Sequence, residues 1–391
     1  MKRIVLGALV SLALRSHAAF GADDTVTIGF PIALSGFVAP YDDGPHKAAL
    51  LAIDDINAKG GLLGKKIVAV EADTKSDPGQ GATAATDVLG KGAVMTMVTC
   101  DFDFGGPAAL VAQSHDVLAF SPCAADPKFG VQGIGPDAYT LSTAVNAQGA
   151  LIAEWAYKTA GYRRPYMLKD TMLEYTKTLC DSFEERWNEL AGADAIVGRD
   201  TYHGVNDTSI AGQITRLKAN DKRPDFVMFC GGINGGSAIR QIRAAGVSLP
   251  MICGDSMDGA YWLNAVPNLS DFYVVTYASV FGNDPDQKIN DFVKRFKEKF
   301  GAAPVTSHAL TGYAVIEAWA LAVTRAKTFE TDKVRAELDQ FSKEPLLVGA
   351  TTFTPDLHIN LNRPELIMKI MNGKHEAVGR FALEKAPKLK F

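Results

Sequence analysis

The chain has 391 residues, 47% hydrophobic and 21% charged, with a formal net charge of −4. That length favours two domains with cores large enough to need no staples. An acidic chain without a basic run is a poor partner for nucleic acid or an anionic membrane, so no nucleic-acid partner is expected.

The first 22 residues read as a signal peptide. Lys2 and Arg3 precede IVLGALVSLAL (4–14), an apolar stretch too short to span a bilayer as a stable helix. Small residues at 16 and 18, and at 19 and 21, stand at the −3 and −1 positions for cleavage after Ala18 or Gly21. Loss of Lys2, Arg3 and Arg15 would leave 37 bases against 44 acids. No Cys lies near the cleavage region, so a soluble periplasmic protein without a lipid anchor is expected.

Strand-like and helix-like runs then alternate. TVTIGFPIA (25–33) predicts a strand, and Pro45 to Lys59 a helix, with Ala49, Ala52, Ile53 and Ile56 at helical spacing and Gly60-Gly61 as its stop. A strand at 65–73, a helix at 79–91, a strand at 94–99, a helix at 107–115 and a strand at 118–122 follow. YTLSTAVNAQGA (139–150) marks a crossing to a second unit. There the pattern resumes: helix 147–160, strand 164–170, helices 175–191 and 207–219, strand 225–230, helix 236–245, strand 249–253. NDFVKRFKEKF (290–300) reads as an amphipathic surface helix. This alternation predicts an α/β protein with parallel sheets covered by helices on both faces, in two lobes.

The five cysteines echo the two lobes. Cys100 and Cys123 end neighbouring strands 23 residues apart, and so do Cys230 and Cys253. Each pair is either a disulfide or two buried thiols at strand ends. Cys180 sits on a helical pattern and reads as a core residue. Metal binding is not expected: no CxxC occurs, and the His residues do not cluster near the cysteines.

One stretch, MTMVTCDFDFGGPAAL (95–110), carries the functional question. A strand ends at Cys100, and Gly-Gly-Pro opens an alanine-rich helix. A phosphate loop would need a Lys and would avoid two Asp, so that reading fails. The helix start after Gly106 offers free N–H groups for a smaller anion or a carbonyl. A Cys nucleophile needs a base in reach, and Asp101 and Asp103 would blunt the thiol by raising its pKa. Capture without chemistry remains: a cleft between lobes, lined by strand-end turns at 34–43, 100–106, 121–127, 169–177, 230–236 and 253–259.

LSGFVAPYDDGPHKAALLAIDDINAKGGLLGKKIVAVEADTKSDP (34–78) resembles the periplasmic leucine/isoleucine/valine-binding proteins, solute receptors of ABC importers. SPCAADP (121–127), DFVMFCGG (225–232), IRQIRAAG (239–246) and TGYAVIEAW (311–319) extend the resemblance. It implies two Rossmann-like lobes joined by three hinge crossovers, 23–141 plus 278–347 and 142–277 plus 348–391. It implies a non-enzymatic, cofactor-free monomer that binds a small molecule and docks on a membrane permease. The expected ligand is a branched-chain or other hydrophobic amino acid; aromatic acids, amides or a sensing role are the alternatives.

The family's ligand positions fall on Tyr41, on Asp101 or Phe102, on Cys123, Ala125 and Tyr175, on Ile233 or Asn234, on Asp255 or Ser256, and on His308. Asp101 or Phe102 stands where a Ser usually binds the ligand carboxylate, and Ala125 where a Thr usually helps. Each lost hydrogen bond to a charged group is worth roughly 1.5–3 kcal/mol. An Asp at position 101 would repel a carboxylate unless it turned away. The family's first disulfide Cys would fall at Ser76.

Overall fold

The computed structural model describes residues 24–389 and 391; the expected signal peptide lies outside them. The first sheet holds β1 (Thr25–Ile32), β2 (Lys66–Asp73), β3 (Ala93–Met97), β4 (Leu118–Ser121) and β5 (Ala138–Thr140), all parallel, in the order β2-β1-β3-β4-β5. Helices α1 (Ala39–Ala58), α2 (Pro78–Gly90) and α3 (Phe102–Ser114) connect them. The chain then passes through α4 (Val145–Glu154), prolonged by a π-helical turn at Trp155–Thr159, into β6 (Pro165–Asp170). There follow α5 (Glu174–Ala191), β7 (Gly198–Tyr202), α6 (Ala211–Lys218), β8 (Phe226–Cys230), α7 (Gly235–Ala244), β9 (Met251–Cys253) and β10 (Phe272–Thr276). Helices α8 (Gln287–Phe300), α9 (His308–Ala326) and α10 (Thr331–Leu338) return to the first lobe, followed by the hairpin β11 (Glu344–Leu346) and β12 (Gly349–Thr351). The antiparallel pair β13 (Glu365–Met371) and β14 (Lys374–Phe381) completes the second sheet.

That sheet runs β14-β13-β10-β9-β8-β6-β7, so its parallel part repeats the 2-1-3-4-5 order of the first. In both sheets the order reverses between the first and third strands. The turns beyond those strands part to leave a crevice, the place where open α/β sheets bind ligands.

The chain crosses between lobes three times, and the crossings bond to one another. Ala144 N–H donates to Asn360 O at 2.8 Å, and the Ser142 and Tyr277 hydroxyls lie 2.7 Å apart. The buried Arg363 guanidinium reaches Leu141 O at 2.8 Å. The third crossing comes later than the expected break at 347. Leu346, Leu347, Val348 and Phe353 pack in the first lobe's core with Trp319 and Phe341.

Two helices start earlier than expected. Pro45 and Pro107 read as first-turn prolines, yet they lie inside α1 and α3. Pro40 takes the first turn of α1, and Asp101 caps α3, its side chain accepting from Asp103 N–H. The free N–H groups expected after Gly106 are therefore interior to α3. The cysteines also differ from expectation. Cys100–Cys123 forms a disulfide with Cα atoms 4.8 Å apart, but Cys180 is no lone core residue: it pairs with Cys230 at 5.7 Å. Cys253 is free and buried. Register explains the asymmetry. Met97 faces Phe120, an offset of 23 that sets Cys100 beside Cys123. Met228 faces Ile252, an offset of 24, so Cys230 and Cys253 fall one residue apart and point to opposite faces.

Candidate functional site

A cavity lies where the strand-end turns of the two lobes meet. Val38, Tyr41, Cys100, Asp101, Cys123 and His308 line it from the first lobe. Leu173, Tyr175, Gly232, Ile233, Asp255 and Ser256 line it from the second. Cys123, Gly232 and Asp255 each follow the end of a buried strand by two residues, whereas Tyr41 sits in the first turn of α1, Tyr175 in that of α5, and His308 opens α9.

Asp42, buried in α1, fixes the first wall. Its carboxylate accepts Ala33 N–H and Cys100 N–H, both at 2.7 Å, and so ties the turn after β1 to the turn after β3. Burial pushes Asp42 up to about 7 against those bonds. The Cys100–Cys123 disulfide then forms the floor. His308, the first residue of α9, holds its Nδ1 3.2 Å from Thr306 Oγ1 and aims Nε2 at Asp255 Oδ2, 3.6 Å away.

The second wall is built around Gln148, fully buried in α4. Its Nε2 donates to Asp255 Oδ2 at 2.8 Å, and its Oε1 accepts the Tyr175 hydroxyl at 2.8 Å. Burial raises Asp255, but the hydrogen bond and charge of His308 outweigh it, and the carboxyl is held below its usual range. Burial likewise opposes protonation of His308, yet its bond to Asp255 keeps the imidazole above its ordinary value. Burial, then the neighbouring Asp103, pushes Asp101 up to about 7.

The two walls touch directly. Tyr41 donates its hydroxyl to Ser256 O at 3.2 Å and packs edge-on against Tyr261, ring centroids 5.7 Å apart. At the mouth, Asp103 Oδ2 accepts Glu174 N–H at 2.9 Å, and Lys128 Nζ meets Glu174 Oε2 at 3.1 Å. This is a closed arrangement.

Six of the nine sequence-derived site residues meet at the cavity: Tyr41, Asp101, Cys123, Tyr175, Asp255 and His308. Three do not. Phe102 packs on α3's own side cluster, beneath Lys128. Ala125 is buried with its carbonyl accepting Val145 N–H. Asn234 is exposed in a left-handed conformation, its amide on Gly204 O, and Ile233 takes the wall position. Val38, Leu173 and Gly232 lie in the expected cleft turns without having been singled out, and the supporting Gln148 escaped the sequence. Cys100, Cys123 and His308 do gather, within 4.8 Å of one another, although sequence spacing gave no sign of it. The disulfide leaves the two sulfurs without thiolates to offer a metal.

Among the described residues no helix is long and apolar enough to cross a membrane. The chain is 28% identical to the Leu/Ile/Val-binding protein BraC3 of Rhizobium johnstonii, over 84% of this chain and 87% of that protein. The Streptococcus pneumoniae branched-chain amino acid transporter substrate binding protein LivJ, solved with isoleucine, superimposes with a TM-score of 0.80 at 24% identity, covering 92% of this chain and 99% of that one. A Rhodopseudomonas palustris solute binding protein of an ABC transporter, solved with benzoate, gives 0.78 at 17% identity over 93% and 98%. The periplasmic binding protein family model matches residues 25–374, and the chain belongs to that family.

Proposed function

We propose that this chain is the solute receptor of an ABC importer, exported by its N-terminal segment, and that it closes on a small organic solute in the cavity between its lobes. The carrying observation is the shared wall: six residues come from each lobe, so a solute that touches both stabilises the closed form. The apolar surface of Val38, Leu173 and Ile233 suits a branched or otherwise hydrophobic body. Asp255, with Tyr175 and His308 beside it, suits a nitrogen-bearing head. Hydrophobic amino acids and their derivatives are the first candidates, in keeping with the names of the curated relatives. The closed form then docks on the membrane permease.

The wall holds no activated nucleophile. The two cavity cysteines are bonded to each other, and the remaining thiol, Cys253, is pushed up to about 12 by burial. Capture and release is the chemistry that remains. The test is a thermal-shift and titration screen of stripped, refolded protein against branched-chain amino acids with their amine and amide derivatives. One-site binding that raises Tm supports the reading, since ligand at 100 times its Kd stabilises by about 2.7 kcal/mol. A flat response across the panel counts against it.

A further inference from the structure

The disulfide on the cavity floor shares its place with a histidine. The sulfurs of Cys100 and Cys123 and a ring nitrogen of His308 lie within 4.8 Å of one another, and all three side chains are buried. Asp255 Oδ2 stands 3.6 Å from His308 Nε2 and brings a fourth donor to the group. Two sulfurs, an imidazole and a carboxylate make a donor set for a tetrahedral divalent ion of the zinc or cadmium type. Bonds of roughly 2.0–2.3 Å to such an ion set neighbouring donors about 3.3–3.8 Å apart. The spacing of Asp255 and His308 already fits, and the imidazole needs a shift of at most about 1 Å toward the sulfurs.

Outer partners that would orient these ligands are in place. Gln148 Nε2 donates to Asp255 Oδ2 at 2.8 Å, and Thr306 Oγ1 lies 3.2 Å from His308 Nδ1, leaving Nε2 toward Asp255. No Lys or Arg lines the cavity to compete with a cation, whereas Asp101 adds a carboxyl to its wall.

In the disulfide state the sulfurs offer no thiolate. A dithiol reductant changes that by delivering two electrons and two protons. The Cys100–Cys123 S–S bond breaks, two thiols form, and the reductant closes to its own disulfide. A divalent ion then displaces both thiol protons and takes the place of the proton that His308 shares with Asp255. Of the two bridges, this is the one a reductant reaches: Cys100 and Cys123 are 6% and 7% exposed, Cys180 and Cys230 both 0%.

We propose that the reduced chain holds one zinc-type ion on Cys100, Cys123, His308 and Asp255, so that the cavity floor is a redox-gated metal site. The cysteines and His308 come from the first lobe and Asp255 from the second, so the ion ties the lobes together and closes the cavity to a solute. This goes beyond the receptor reading and holds whichever solute that receptor takes.

Cadmium and zinc titrations of the full chain test it, in the wild type and with Cys180→Ala plus Cys230→Ala, where only Cys253 accompanies the pair. The protein is reduced with dithiothreitol, which is then removed under argon. One Cd2+ binds per chain with a thiolate-to-cadmium charge-transfer band, cadmium NMR of the same sample reports two sulfur ligands, and Zn2+ displaces the cadmium. The oxidised protein shows no band. Cys100→Ser with Cys123→Ser abolishes the band, and His308→Ala weakens Zn2+ binding by roughly ten-fold or more. No band in the reduced protein overturns the inference, as does a band that survives the paired serine exchange or an unchanged zinc affinity in folded His308→Ala. A cadmium signal with one or three sulfur ligands overturns it without reliance on any cavity variant. Each of these failures leaves the receptor reading standing.

Discussion

His308 Nε2 and Asp255 Oδ2 face each other across 3.6 Å, one from each lobe, and both side chains are almost wholly buried. A charge pair out of water needs every partner it has, and breaking one side leaves the other uncompensated. Asp255→Asn keeps the shape and removes the charge. It lowers solute affinity by 10- to 100-fold and brings the His308 pKa down, because only the weaker charges of Asp258 and Glu365 then oppose burial. NMR titration of the His308 ring checks the second effect; an unmoved ring would contradict the pairing.

The mouth contacts bias closure before any solute arrives. Lys128–Glu174 and Asp103–Glu174 N–H join the lobes outside the cavity. The salt bridge is part-exposed, so its worth is roughly 0.2–1 kcal/mol. Lys128→Ala shifts the unliganded protein toward an open form, seen as a larger radius of gyration in solution scattering. Solute affinity falls two- to five-fold, while Tm changes little.

The two disulfides differ in consequence. Cys180–Cys230 joins α5 to β8 away from the cavity wall and closes a loop of 50 residues, worth about 4 kcal/mol on chain-entropy grounds. Cys180→Ala with Cys230→Ala therefore lowers the urea midpoint with little change in affinity. Cys100→Ser with Cys123→Ser loses stability and affinity together, because that bridge is part of the wall. Cys253 resists thiol reagents in the folded protein and reacts only on unfolding.

Asp101 and Glu365 both have pKa values raised to about 7, in each case chiefly by burial. A carboxyl whose folded pKa is raised binds its proton more tightly folded than unfolded. Its contribution is fully present below the unfolded value of about 4 and is lost as pH rises toward 7. Asp101→Asn flattens this part of the stability profile of the unliganded protein between pH 4 and 7. An unchanged slope in chemical denaturation would contradict the raised pKa of Asp101.

Much of the fold was legible because each β–turn–α unit carries its own signal: an apolar run, a Gly-rich turn, then helical spacing. β7 escaped because GRDTY is a polar edge strand whose inward face is short. The early starts of α1 and α3 escaped because a proline usually opens a helix, whereas Pro45 and Pro107 lie a turn or more inside. Strand-end logic gave the cleft turns, and the family resemblance singled out Tyr41, Asp101, Cys123 and Asp255 within or beside them. Neither could find Gln148, which sits mid-helix among alanines and reaches the cavity only through Tyr175 and Asp255. The one-residue offset between β8 and β9 is likewise absent from spacing alone, so the cysteine echo left open a second bridge that the register forbids.

The account stands on a solute that contacts both lobes at once. The measurement that tests this most directly is calorimetric titration of the stripped wild type, Tyr41→Ala and Asp255→Asn with the tightest solute of the amino-acid, amine and amide panel. Tyr41 samples the first wall and Asp255 the second. The account predicts one site per chain and at least a ten-fold loss of affinity in each variant. Wild-type binding that survives either substitution unchanged would place the solute outside this cavity.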